Sequence, residues 1–72
     1  MKSERMLCER KSFNFLLKEN PRGRFLRIVE EGGRFNASII VPLSGLKEFQ
    51  MLLAEMTKAA NKLPYQGGNS AL

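Results

Sequence analysis

The chain contains no histidine, no aspartate and no tryptophan, and its one cysteine is Cys8. A single cysteine cannot form an internal disulfide, and without histidine it cannot complete a structural zinc site. Glutamates are left as candidates for acid–base chemistry, but the adjacent pair Glu30 and Glu31 would point to opposite faces of a strand and would not converge on a substrate. We therefore expect no metal, no small-molecule cofactor and no enzymatic activity, and we interpret this pair as the polar end of a hairpin.

Long apolar runs are absent as well. No segment of the sequence approaches the ~20 residues that a transmembrane helix needs. The first residues, Met1–Arg5, lack the apolar stretch of a secretory signal. We expect an intracellular protein of the cytoplasm, the nucleus or both, and a lone free cysteine agrees with a reducing compartment.

The chain is short, with 72 residues. A chain of this size buries only about 60% of the surface that its unfolded form exposes, so its stability is marginal without a supplement. Disulfides and metals are already excluded, which leaves association with a partner subunit. The sequence thus predicts an oligomer.

Positive charge is in excess and unevenly distributed. The net charge is +5. All arginines lie in the first half of the chain: Arg5, Arg10, Arg22, Arg24, Arg27 and Arg34. The second half carries only the lysines Lys47, Lys58 and Lys62. Because arginine pairs with phosphates and stacks on bases better than lysine does, this asymmetry favours an anion-binding face, with ordinary surface solubility as the alternative.

The segment Lys-Glu-Asn-Pro-Arg-Gly-Arg-Phe, which begins at position 18, is the most informative motif. Asn20, Pro21 and Gly23 suit positions i, i+1 and i+3 of a type I turn. The turn would hold three cations at the tip of a hairpin, with an aromatic ring at the root of the return strand: Lys18, Arg22, Arg24 and Phe25. A single-stranded nucleic acid requires cations for its phosphates and a flat ring for a base. The alternative is a solubilising turn with the ring in the core.

Alternating apolar residues predict four strands. The alternation is weak from Arg5 to Glu9, clear from Lys11 to Lys18, and resumes after the turn. Gly32-Gly33 provides a further hairpin turn, and Pro42 should end the last strand or place it at an edge. The order is strand-strand-strand-strand-helix.

The helix is indicated by an apolar stripe at helical spacing: Leu46, Phe49, Leu52, Leu53, Met56, Ala60 and Leu63. Ser44 is the expected N-cap, and Pro64 should end the helix. We expect an α+β fold, with one domain over residues 1–64 and a flexible C-terminal tail over residues 65–72.

The helix would cover one face of the sheet, which carries Phe13, Phe15, Leu17, Leu26, Ile28, Ile39 and Val41. The opposite face would then carry Asn14, Leu16, Lys18, Phe25, Arg27, Val29, Ser38 and Ile40. Apolar and aromatic groups exposed among cations indicate a binding surface.

Two segments together resemble a PUR repeat, the module of the purine-rich element-binding (Pur-alpha-like) proteins. One runs from Lys11 to Glu30 and contains the string Lys-Glu-Asn-Pro-Arg-Gly-Arg-Phe-Leu, which is quite specific. The other, Ile-Ile-Val-Pro-Leu-Ser-Gly-Leu-Lys-Glu-Phe, begins at Ile39 and spans the junction between strand and helix. The resemblance covers about residues 5 to 63.

The resemblance implies a Whirly-like fold, in which two repeats interlock and each helix packs on the partner's sheet. It also implies binding of single-stranded DNA and RNA with a preference for guanine-rich purine sequences, an ability to destabilise duplexes, and a role in transcription regulation. The family's Lys-x-Asn-x-Arg motif is matched by Lys18, Asn20 and Arg22, and its base-stacking phenylalanine by Phe25. In one respect this chain departs from the family: many eukaryotic members carry two or three repeats, whereas this one has a single repeat. It is either a short protein that pairs with itself or an excerpt of a longer one.

From the residues and the resemblance together, we expect a nucleic-acid site formed by Asn14, Lys18, Asn20, Arg22, Arg24, Phe25, Arg27 and Arg34. We expect a homodimer interface formed by Phe49, Leu52, Leu53 and Met56. The alternative function is a protein-interaction or dimerisation module whose basic face contacts acidic partners.

Overall fold

In the computed structural model, residues 1–63 are described. Four strands form one antiparallel sheet in chain order, and a single helix follows. The elements are β1 (Lys2–Cys8), β2 (Lys11–Asn20), β3 (Gly23–Glu31), β4 (Ala37–Pro42) and α1 (Leu43–Lys62). The expected α+β architecture is therefore confirmed, whereas the tail expected over residues 65–72 lies outside the described residues.

The connections match the turn signals of the sequence. The strands β2 and β3 are joined through Pro21 and Arg22, as the Asn-Pro-x-Gly pattern predicts, and β3 and β4 through residues 32–36. At the start of that second connection, Gly32 has a φ of +111°. A β-carbon at this position would lie 2.4 Å from the carbonyl oxygen of Arg10, so only glycine fits there.

Strand register divides the sheet residues into two faces. Phe15 lies opposite Ile28, and Ile28 lies opposite Ile39. Lys18 lies opposite Phe25 on the other side of the sheet. We name these sides the helix face, with Phe13, Phe15, Leu17, Leu26, Ile28, Ile39 and Val41, and the open face, with Asn14, Leu16, Lys18, Phe25, Arg27, Val29, Ser38 and Ile40. The division agrees with the alternation read from the sequence.

The helix begins earlier than expected. Its first residue is Leu43 and its N-cap is Pro42, which makes no side-chain capping hydrogen bond, so the assignment of Ser44 as the N-cap was wrong. The proline before the helix has the extended conformation of an N-cap and continues directly from β4. At the other end the backbone N–H of Leu63 donates to the carbonyl of Ala59 at 3.2 Å.

The helix covers less of the sheet than its apolar stripe predicts. It contacts β3 and β4 but neither β1 nor β2. Only Gly45, Leu46 and Phe49 in its first two turns are partly shielded from solvent. The expectation that this helix covers Phe13, Phe15 and Leu17 of its own chain was therefore wrong, because β2 lies beyond its reach.

The single chain consequently has almost no core. Within residues 1–63, Val41 is the only buried apolar residue, at 9% exposure, and Ser12 the only buried polar one. No side chain in this range is fully buried. No helix in the same range is long and apolar enough to cross a membrane.

Candidate nucleic-acid interface

The turn between β2 and β3 is held by the side chain of Asn20. Its Oδ1 accepts hydrogen bonds from the backbone N–H groups of Arg22, at 2.8 Å, and Gly23, at 3.1 Å. This is the local bonding that makes asparagine favourable at the start of a turn. It directs the chain so that the Arg22 side chain stands at the exposed tip of the hairpin.

Phe25 lies at the root of this hairpin and on the open face. The ring is half-buried and lines a cavity of about 270 Å³ that opens to solvent. The other lining residues are Asn20, Arg22, Gly23, Arg24, Ile40 and Pro42. An aromatic ring on an apolar floor, with cations at its rim, can stack a nucleobase while its phosphates meet guanidinium groups.

Two further cations of the open face lie next to Phe25 in the sheet. Lys18 is directly opposite Phe25 on the neighbouring strand, and Arg27 is the next residue of β3 on the same face. Both side chains are exposed. Lys18, Arg22, Phe25 and Arg27 therefore come together, as the sequence predicts.

Arg24 has a different environment. It pairs with Glu19 across the hairpin, on the helix face, and its Nε donates to Glu19 Oε1 at 2.9 Å. Arg24 is also one of the residues that line the Phe25 cavity. Arg24 thus borders the site with part of its charge already balanced.

The two faces of the sheet differ in their ion pairs. Every ion pair within residues 1–63 lies on the helix face: Lys2 with Glu4 at 3.7 Å, Lys11 with Glu30, and Arg24 with Glu19. The open face carries Arg5, Lys18 and Arg27, which have no carboxylate partner in this part of the chain. The helix face of the sheet is balanced in charge, and the open face is left positive.

The remaining two expected site residues lie farther along the sheet. Asn14 is on the open face, where its side-chain amide donates to the carboxylate of Glu31. That carboxylate is the only one on the strands of the open face. Arg34 lies in the connection after β3, at the end of the strand opposite the hairpin tip. Because β3 has nine residues, Arg34 is separated from the hairpin tip by roughly 26 Å. The structure does not bring Arg34 together with Arg22 and Phe25.

The expected interface residues of the helix are mostly uncovered. Phe49 is half-buried against its own chain, whereas Leu52, Leu53 and Met56 are exposed, at 49%, 54% and 64%. The sheet does not lie beneath this part of the helix. The exposed leucines and methionine therefore form an apolar surface that no other element within residues 1–63 covers.

Sequence reasoning missed one cation of the open face. Arg5 belongs to β1 and lies opposite Asn14, so it shares the face of Lys18 and Arg27. The signal was available in the alternation of β1, but that strand was expected to begin at Arg5, and it begins at Lys2. No group of residues in the described range could hold a metal ion.

Comparison with known proteins adds to this geometry. A family model described as PurA ssDNA and RNA-binding protein matches residues 1–65. The chain is also 48% identical, over 54 residues, to Transcription factor Pur-alpha 1 of Arabidopsis thaliana. That alignment covers 71% of this chain and 18% of the relative, so the chain spans less than a fifth of the length of the relative that it matches.

Proposed function

Because the chain belongs to the PurA family of single-stranded DNA- and RNA-binding proteins, we propose that its open face binds a single-stranded nucleic acid. The observation that carries the proposal is the segregation of charge. Cations on the helix face are paired with glutamates, whereas Lys18 and Arg27 on the open face lack carboxylate partners within residues 1–63 and lie next to Phe25 in the sheet.

Binding divides between phosphate and base contacts. Lys18, Arg22 and Arg27 neutralise successive phosphates, and Arg24 contributes through the N–H groups that Glu19 leaves free. One base stacks on Phe25 within the cavity of about 270 Å³. Stacking of one base on an aromatic ring is worth roughly 1–3 kcal/mol by alanine substitution.

A preference for purines follows from the same contact. A purine presents a larger aromatic face than a pyrimidine and gains more from stacking on a half-buried ring. Asn20, which borders the cavity, uses Oδ1 in the turn and keeps its amide N–H groups for a base edge or a phosphate. This supports the purine preference that the resemblance implies.

Duplex destabilisation follows from the position of Phe25 beside a projecting turn. A ring that stacks on one base competes with the stacking of that base in its own duplex, and nearby cations hold the separated strand. A protein that binds single strands more tightly than duplexes shifts the equilibrium towards opening, by its difference in affinity for the two forms.

The helix face serves dimerisation. A chain with one buried apolar residue among residues 1–63 lacks the core that a stable domain needs. A second copy of the chain, packed on Leu52, Leu53 and Met56, would supply this core. The sheet of the second copy presents the phenylalanines of β2 that its own helix does not reach. We expect an obligate, intertwined homodimer with two open faces directed outwards.

The cellular location and a general role follow from the proposed binding of nucleic acid. A single-strand binder of this kind acts where nucleic acid is found, inside the cell, in the cytoplasm or the nucleus. The relative in Arabidopsis thaliana is named a transcription factor, which supports regulation of transcription as the role of this chain.

The proposal is tested by fluorescence anisotropy with a labelled purine-rich oligonucleotide, a pyrimidine strand of equal length, and the corresponding duplex. We expect the purine strand to bind most tightly. With three or four phosphates neutralised per protomer, the slope of log K against log salt should be about −2 to −3, at ~0.7 per phosphate for single strands. Arg22→Ala should weaken binding to all strands and flatten the slope.

The competing function, a basic module for acidic proteins, gives a different result. Such a module also shows salt dependence, but it has no reason to prefer a single strand over a duplex, because the duplex carries the denser charge. Tighter binding of the duplex than of either single strand would favour that reading.

A further inference from the structure

The first strand carries an unpaired cation on the open face. Arg5 lies opposite Asn14 on β2, and Asn14 lies opposite Val29 on β3. Lys2 and Glu4, its neighbours on the helix face of the same strand, form an ion pair with each other. Within residues 1–63, Arg5 has no such partner.

The open face offers a continuous path from Phe25 to Arg5. Arg27 is opposite Leu16 on β2, and Asn14 is the next residue of that strand on the same face. From the spacing of strands and residues, Arg5 lies roughly 12 Å from Arg27 and roughly 16 Å from Phe25. These separations suit non-adjacent phosphates of one extended strand that crosses the sheet diagonally.

A second cavity marks the far end of this path. It has a volume of about 410 Å³ and is open to solvent. Arg5, Leu7, Arg10 and Ser12 line it together with Glu9, Lys11, Glu31 and Gly32. The amide of Asn14 donates to the carboxylate of Glu31, and the three cations that line this cavity outnumber its two carboxylates, Glu9 and Glu31.

We propose that Arg5 forms a second subsite, which takes the backbone phosphate of the strand two or three nucleotides away from the base stacked on Phe25. The bound strand then runs from the hairpin tip, past Arg27 and Asn14, to the outer edge of β1. Short strands occupy only the Phe25 end, and longer ones also engage Arg5. This inference rests on the proposed function and extends it across the sheet.

The test compares Arg5→Ala with Lys2→Ala, using labelled purine-rich oligonucleotides of 2 and 12 nucleotides, of which only the longer can span from Phe25 to Arg5. Both variants remove one positive charge from the exposed first strand, but on opposite faces. Arg5→Ala should weaken binding of the longer strand roughly three- to tenfold at low salt and reduce the magnitude of its salt slope by about 0.7. Its affinity for the short strand should stay at the wild-type value, and Lys2→Ala should change neither.

Each other outcome has a distinct meaning. If the wild-type chain binds the longer strand and Arg5→Ala binds it equally well, the second subsite is wrong while the proposed function stands. Equal losses with both lengths would also overturn it, because the effect would not depend on reach. If the wild-type chain binds neither oligonucleotide, the proposed function itself fails. Circular dichroism of each variant verifies that the fold is retained.

Discussion

Two phenylalanines in the same local sequence have opposite environments. Gly23-Arg24-Phe25 recurs as Gly33-Arg34-Phe35. The ring of Phe25 is half-buried in a strand and forms the floor of a cavity among cations, whereas Phe35 is 82% exposed in a connection. The sequence motif is the same, so the difference comes from the element that holds each ring, which is a paired strand for Phe25 and a connection for Phe35. It makes Phe35 a natural control for the role of Phe25.

Replacing Phe25 with alanine should weaken single-strand binding by about tenfold or more, because the stacked base loses its aromatic partner. The dimer should remain folded, since the ring faces away from the helix. Phe35→Ala should leave both affinity and melting temperature nearly unchanged. If Phe25→Ala instead loses stability and each folded molecule keeps its affinity, the ring belongs to the core and the faces have been assigned backwards.

Gly32 is a second residue at which the backbone decides the outcome. Its φ of +111° is unfavourable for a side chain, and an added β-carbon would lie 2.4 Å from the Arg10 carbonyl oxygen. A β-carbon at its neighbour Gly33 would lie 3.8 Å from the Phe35 carbonyl oxygen, which is an ordinary contact distance. Gly32→Ala should therefore destabilise the protein by about 2 kcal/mol or more, whereas Gly33→Ala should stay within about 0.5 kcal/mol. Thermal or urea unfolding of the two variants makes the comparison, and equal stabilities would contradict it.

At the scale of elements, the hairpin between β2 and β3 combines structure and function. Asn20 closes the turn through two backbone hydrogen bonds, and the same turn sets the position of Arg22. The side-chain oxygen of Asn20 thus stabilises the turn, and its amide is available to the proposed site.

The substitution Asn20→Asp separates these two contributions. An aspartate keeps the acceptor that the turn needs, so the melting temperature should change little. It loses the amide donors and adds a negative charge beside Arg22, so single-strand affinity should fall severalfold or more. Asn20→Ala should lower both. If Asn20→Asp keeps the affinity of the wild type, the residue has only a structural role.

The elements show what the sequence can and cannot predict. The order of strands, the turn at Pro21 and the division into two faces follow from local rules of period and turn chemistry, and all were confirmed. The N-cap at Ser44 was wrong because the proline before the helix already has the conformation of a cap. The prediction that the helix covers β2 of its own chain was also wrong. An apolar stripe shows that one face of a helix is apolar, but it does not show which sheet packs against that face.

The site residues likewise divide into those that a local motif predicts and those that depend on pairing between strands. The cluster at the hairpin tip is local in sequence, so Lys18, Arg22 and Phe25 could be placed from one motif. Arg5 was missed because β1 begins earlier than its weak alternation predicted, and because its neighbours on the open face come from other strands. The ion pair between Arg24 and Glu19 likewise depends on the register of the two strands of the hairpin, and the identities of the two residues do not reveal that register.

At the scale of the whole molecule, the two faces of the sheet have different chemistry. The helix face is balanced in charge and apolar, and within residues 1–63 its helix leaves Leu52, Leu53 and Met56 uncovered. The open face is positive and carries the Phe25 cavity. A dimer formed through the first face leaves the second face of each protomer free for nucleic acid.

Dimerisation is tested by Leu53→Lys against Ala54→Lys. Both add the same charge to exposed helical positions, but adjacent residues lie about 100° apart around a helix, so only Leu53 belongs to the apolar stripe. Leu53→Lys should lower the melting temperature strongly and shift the protein towards unfolded monomer, whereas Ala54→Lys should remain dimeric. The melting temperature of the wild type should rise with concentration. A folded wild-type monomer at micromolar concentration in analytical ultracentrifugation would contradict the dimer.

The most direct test of the account is the salt dependence of single-strand binding for Lys18→Ala and Lys2→Ala. The two changes are chemically identical, and Lys2 pairs with Leu17 next to Lys18, but the two lysines lie on opposite faces of the sheet. If the open face binds the strand, Lys18→Ala should reduce the magnitude of the log–log salt slope by about 0.7 per protomer, and Lys2→Ala should leave it unchanged. Equal slopes for the two variants would show that binding does not distinguish the faces, and the open face would not be the nucleic-acid site.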